Sequence, residues 1–203
     1  MKTGVFALLY LAGAIGAYIL RIPSLKLNAQ AQKPEERMSQ KQRMQQEGTL
    51  LSVLMIFWFL AAQVLPILYL TTNWFARFDF RLPDVFYYVG LGIFGAALWL
   101  LRRAHNDLAR SWSAVVQIKH DQQLVTEGIY RCIRHPIYSA HLLWGLAQVL
   151  LIHNWLCGFA GFALIILIMV LRIPREEKLL LSQYGEAYRS YMQNTGALIP
   201  RCR

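Results

Sequence analysis

IYSAHLLWGLAQVLLIHNWLCGFAGFALIILIMVLRI, Ile137 to Ile173, is too long to cross a bilayer once and too apolar to lie outside one. A helix spans the hydrocarbon core in about 20 residues. Near its middle the run carries a polar interruption, His153-Asn154-Trp155, which a membrane surface can satisfy. The stretch therefore reads as two helices in a tight hairpin. Upstream, Gly4 to Leu20, Leu50 to Leu70 and Val85 to Leu101 are apolar over comparable lengths, so the expectation is an all-α membrane protein of about five transmembrane helices.

The composition agrees, with 56% hydrophobic residues in a chain of 203. That is more apolar surface than a soluble core of this size can bury. A formal charge of +10 raises the question of nucleic acid, but its distribution argues for the membrane instead. Of 21 Lys and Arg residues, six lie in Arg21 to Gly48, six in Arg102 to His135 and six from Arg172 onward. Five spans put these segments on one face, which the positive-inside rule makes cytoplasmic, with the N-terminus and the Thr71 to Asp84 loop outside. In a bacterium this is the inner membrane. No nucleic-acid partner is expected, and the basic charge serves orientation and anionic head groups. The first span reads as a retained anchor and not as a cleaved signal peptide, because its apolar run continues to Arg21 without a cleavage site. Cys132, Cys157 and Cys202 show no paired spacing, so no disulfide framework is expected.

Two regions divide the chain. Residues 1–101 hold the first three spans and a polar cytosolic connection at 21–48, whose KPEERMSQKQRMQQE (Lys33 to Glu47) reads as a solvated helix or loop. Residues 102–203 hold a cytosolic loop at 102–136, the hairpin at 137–173 and a cytosolic helix at 174–203. The loop is too long for a tether, and long loops in compact proteins are usually functional. In the last segment Leu180, Tyr184, Tyr188 and Tyr191 share one helical face, which reads as an interfacial amphipathic helix. Trp74, Phe75, Phe78 and Phe80 beside Arg77 and Arg81 read as an aromatic belt. Gly90, Gly92 and Gly95 inside a span point to close helix packing.

At the mouth of the hairpin stands His135-Pro136. Proline lacks a backbone donor and pushes the preceding residue away from helical dihedrals, yet helices tolerate it in their first turn. The His135 carbonyl and the Ile137 and Tyr138 amides can then face a cytosolic pocket instead of the helix ladder. Arg172 and Glu176, at the far end of the hairpin, are charged groups that burial penalises unless they are paired. A continuous helix places them on one face, but Pro174 lies between them and either kinks the helix or starts a new one. Metal ligation is not expected: Cys132, His135 and His141 are close in sequence, but no second ligand pair has an established spacing.

LVTEGIYRCIRHPIY (Leu124 to Tyr138), followed by REEKLLLSQYGEAYRSY (Arg175 to Tyr191) and then Ile199-Pro200, resembles the C-terminal signature of the isoprenylcysteine carboxyl methyltransferase family, itself related to the phospholipid methyltransferases. VVQ, Val115 to Gln117, extends the likeness upstream. The resemblance implies an integral membrane enzyme that transfers a methyl group from S-adenosylmethionine, bound on the cytosolic side, to a lipid or lipidated acceptor from the bilayer. It implies cofactor contacts at Gln117, Gln122, Gln123, Leu124, Val125, Tyr130, His135, Pro136, Ile137, Tyr138 and Glu176, an acceptor contact at Arg172, and catalytic roles for Arg172 and Glu176. Gln122 stands where the family often has His. Competing readings are an N-methyltransferase acting on a phospholipid amine, an NADPH-dependent reductase of the sterol reductase type, which also carries an Arg-His-Pro pattern, and a membrane scaffold without catalysis.

Overall fold

The structure is a computed structural model that describes residues 2–31, 48–108 and 124–202. Among the described residues the regular structure is helical: α1 (Lys2–Ala31), α2 (Thr49–Thr71), α3 (Val85–Leu108), α4 (Pro136–Leu151), α5 (Trp155–Tyr184) and α6 (Glu186–Asn194). Each of the five apolar runs forms a helix. α2, α3 and α5 are long and apolar enough to cross a membrane, while the apolar parts of α1 and α4, Gly4–Ile19 and Pro136–Leu151, are shorter. The protein is an all-α, multi-pass integral membrane protein. α4 packs chiefly between α3 and α5, α1 lies against α3, and α2 lies along α5.

The hairpin turns where the polar triplet predicts. α4 ends at Leu151 and α5 begins at Trp155. Asn154 caps the new helix, its Oδ1 accepting from the amides of Leu156 (3.1 Å) and Cys157 (2.9 Å). Its Nδ2 donates to the Phe75 carbonyl and to Asp79 Oδ1, each at 2.8 Å. The turn is so tight that a Cβ on Gly158 would lie 2.5 Å from the Ile152 carbonyl oxygen. The loop between α2 and α3 is thereby tied to the hairpin. Phe80, expected in an interfacial aromatic belt, packs on His153 and Trp155, and Trp74 is exposed. Of the three glycines expected to serve packing only Gly90 does so, against Leu150 and Leu151 of α4; Gly92 and Gly95 face open space.

The interior between α1, α2 and α4 is polar at one level. α2 widens into a π turn at Leu60–Val64, a geometry that takes carbonyls out of the regular ladder. Gln148, fully buried on α4, donates to the Ala61 carbonyl (3.0 Å) and to the Cys157 carbonyl (2.7 Å). The Tyr10 hydroxyl lies 2.9 Å from the Ala62 carbonyl and 2.8 Å from Gln148 Oε1, and accepts from Trp144 Nε1 at 2.7 Å. With no water in a bilayer core, such carbonyls must be served by side chains.

Two expectations for the C-terminal region are corrected. α5 runs unbroken through Pro174 and ends at Gly185, whose φ of 53° suits glycine. Leu180 and Tyr184 therefore lie on α5, whereas Tyr188 and Tyr191 lie on α6, with Tyr188 buried in the protein and not at a lipid surface. The cysteines also differ from expectation, since Cys132 and Cys202 form a disulfide with a Cα–Cα distance of 4.5 Å. Spacing along the chain could not reveal it. The residues after α6 fold back onto 132–135: the Arg134 amide donates to the Gly196 carbonyl (2.8 Å), the His135 amide to the Ala197 carbonyl (3.0 Å), and the Arg201 amide to the Cys132 carbonyl (2.9 Å).

Candidate active site

The start of α4 and the projecting end of α5 meet beneath this returning tail. Pro136 occupies the first turn of α4 and is buried. The His135 carbonyl accepts from the Ser139 amide at 3.1 Å, so it enters the helix ladder and does not face a pocket as the sequence reading expected. The amides of Ile137 and Tyr138 belong to the first turn, where helix geometry gives backbone donors no intrahelical acceptor.

Because α5 is continuous, Arg172 and Glu176 sit one turn apart on the same face, with Arg172 Nε 3.1 Å from Glu176 Oε1. That oxygen also accepts from the Tyr138 hydroxyl at 2.5 Å. Arg172 is buried, and its Nη1 reaches Met55 Sδ on α2 at 3.3 Å. His135 stands between two carboxylates: Nδ1 is 3.5 Å from Glu176 Oε2, and Nε2 is 3.2 Å from Glu177 Oε1. Burial alone would lower the affinity of His135 for its proton, but hydrogen bonds and charge from Glu176 and Glu177 outweigh it and hold the imidazole above its ordinary pKa. Arg134 Nε lies 3.0 Å from the same Glu177 oxygen. Its Nη1 donates to the carbonyls of Met192, at 3.1 Å, and Thr195.

His135, Pro136, Ile137, Tyr138, Arg172 and Glu176 are thus gathered in one place. Tyr130 is buried in the adjoining 3-10 turn, its hydroxyl 3.4 Å from the Ala104 carbonyl of α3 and its own carbonyl accepting from Tyr191 at 2.6 Å. Asp107 of α3 fixes the same turn by accepting from the Ile129 amide at 2.7 Å. Leu124 and Val125 are half-buried in an irregular stretch leading to it. Gln117, Gln122 and Gln123 lie outside the described residues, as does the connection at 33–47. The sequence reading missed Arg134 and Met55. Arg134 was in view beside His135, but its carbonyl partners come from a tail whose return had no signal. Met55 is one apolar residue among many in α2.

A model of the isoprenylcysteine carboxyl methyltransferase family matches residues 88–182, which contain most of α3, all of α4 and the Arg172–Glu177 segment. The likeness to this family lies in residues 88–182. Among curated members, protein-S-isoprenylcysteine O-methyltransferase B of Arabidopsis thaliana is 30% identical over 103 residues, covering 50% of this chain and 52% of its own. The enzyme of Schizosaccharomyces pombe is 30% identical over 112 residues, 54% of this chain and 48% of its own. Methanethiol S-methyltransferase of Pseudomonas deceptionensis is 29% identical over 124 residues, 58% and 44% respectively. The chain spans about half the length of the curated relatives it matches. The solved structure of the eukaryotic intramembrane Ras methyltransferase of the isoprenylcysteine carboxyl methyltransferase family shares the fold, with a TM-score of 0.53 over 94% of this chain and 67% of that one at 22% identity.

Proposed function

We propose that the protein is an S-adenosylmethionine-dependent membrane methyltransferase whose acceptor is a lipid-linked carboxylate of the prenylcysteine type, methylated to an ester. The observation that carries this reading is the Arg172–Glu176–Tyr138–His135 cluster at the join of α4 and α5, inside the family-matched segment. The donor set fits the cofactor. Glu176 and Glu177 suit cationic groups, while the first-turn amides of Ile137 and Tyr138, at the positive end of α4, suit a carboxylate. Together they match an amino-acid zwitterion attached to a sulfonium. Gln117, Gln122, Gln123, Leu124, Val125 and Tyr130 are assigned to the same ligand.

S-adenosylmethionine, when bound, supplies an electrophilic methyl carbon on a sulfonium. The rest falls to the chain. Glu176 engages Nε of Arg172 and turns the η end of the guanidinium toward α2, where it can orient an acceptor carboxylate. Tyr138 and His135 in turn fix Glu176. A carboxylate acceptor is already deprotonated, so no general base is required. The apolar helices exclude water, which strengthens each of these charge contacts. We place this site on the cytosolic face, with the N-terminus on the opposite side, because five spans would put the three Lys- and Arg-rich segments of the sequence on the side of Arg172 and His135.

A second reading is methylation of a small thiol, which the likeness to the methanethiol enzyme favours. The test is incubation of purified protein with methyl-labelled S-adenosylmethionine and, in parallel, an S-prenylated cysteine, an amine phospholipid and methanethiol. Base-labile label on the prenylated cysteine is the expected result. Label on the thiol alone would replace the carboxylate reading, and label on the amine lipid alone would do likewise.

A further inference from the structure

We propose that Arg134 is a positioning residue that sets the orientation and protonation of His135 through Glu177, coupling both to the returning C-terminal tail. Glu177 Oε1 is shared, lying 3.0 Å from Arg134 Nε and 3.2 Å from His135 Nε2. An oxygen held by a guanidinium is fixed in place and partly neutralised, so the imidazole beside it meets a defined acceptor of reduced negative charge. Arg134 is itself held, since its Nη1 donates to two tail carbonyls and its side chain is only 10% exposed.

The cluster divides its acids by this means. Glu176 is committed to Arg172 and Tyr138, Glu177 to Arg134, and His135 lies between them. With both acids and both arginines charged, the four cancel, and the imidazole adds a full charge when protonated. Removing Arg134 leaves Glu177 uncompensated and removes a cation, and both effects favour imidazolium. The groups facing His135 are Glu176 and Glu177 on α5, Tyr138 on α4 and, through the carboxylates, Arg172 and Arg134; behind these, Tyr188 of α6 lies near Glu177 and Arg134 and packs on Tyr191.

This inference rests on the proposed cofactor site only for its functional meaning, because the test reads His135 directly. The imidazole resonances of histidine-labelled protein in detergent, assigned by difference from His135→Asn, are followed against pH. In Arg134→Gln the His135 midpoint should move to higher pH, while Arg134→Lys, which keeps the charge, should titrate as the wild type does. Tyr191→Phe, which loosens α6 by removing the bond to the Tyr130 carbonyl, should leave the midpoint in place. Adenosylhomocysteine affinity should fall about tenfold in Arg134→Gln. An unmoved midpoint in Arg134→Gln, or an equal shift in Tyr191→Phe, overturns the proposal. Should Arg134→Gln not accumulate, Glu177→Gln carries the test: its His135 midpoint must fall, and an unchanged one is equally fatal. If wild-type protein fails to bind adenosylhomocysteine while the midpoint moves as stated, the cofactor reading fails and the positioning role stands.

Discussion

Arg172 offers the sharpest discrimination available to a single side chain. Its Nε is engaged by Glu176 and its η end approaches Met55, so lysine at this position keeps the charge but cannot make both contacts from one planar fork. If the guanidinium holds an acceptor carboxylate, Arg172→Lys should lower turnover on a prenylated cysteine roughly 10- to 100-fold, the worth of a charged hydrogen bond. Adenosylhomocysteine affinity should change little. Turnover at saturating S-adenosylmethionine, with calorimetric binding in parallel, checks this, and near wild-type turnover would reduce Arg172 to a structural cation. At this scale the sequence was informative where chemistry is local. A proline after histidine announces a helix start, and charged residues at the end of an apolar run announce a site. It was silent where the partner is distant: nothing near Arg134 foretells the Met192 and Thr195 carbonyls, and nothing near Met55 foretells Arg172.

Among the described helices, α2 carries a π turn whose carbonyls are served by its neighbours. The π turn at Leu60–Val64 leaves the Ala61 and Ala62 carbonyls to Gln148 and Tyr10, across three helices. Gln148→Leu retains the volume but abandons the Ala61 and Cys157 carbonyls and the Tyr10 hydroxyl contact together. Membrane-buried side-chain bonds are individually modest, so the combined loss should be about 2 to 4 kcal/mol. A clear drop in melting temperature in detergent is expected, and an unchanged melt would show that the π turn does not need this glutamine. Hydropathy found all five apolar helices, three of them long enough to span, and the polar triplet located the hairpin turn, because apolar run length and exposed polarity are properties of the local sequence. The π turn escaped notice, since it arises from packing among α1, α2 and α4. So did the continuity of α5 through Pro174, which the ion pair and hydrogen bonds around Glu176 accompany.

At the scale of the whole molecule, the disulfide adds a rule of parity. A covalent bond between Cys132 and Cys202 cannot pass through a hydrocarbon core, so the chain between them crosses the membrane an even number of times. If α4 and α5 each cross once, as the hairpin reading expects, the two crossings satisfy this rule. The bond also closes the hairpin into a covalent ring beside the proposed active site, and every reagent that reaches one sulfur reaches the other from the same compartment. On a cytosolic face the ring meets a reducing thiol pool, and cells should hold it open. Membrane-permeant maleimide added to intact cells should then label Cys132 and Cys202, while an impermeant maleimide should not. Protection of both residues until a reductant is added would place them in an oxidising compartment and invert the assigned orientation. A single cysteine pair thus records which side of the bilayer the chain has turned its chemistry toward.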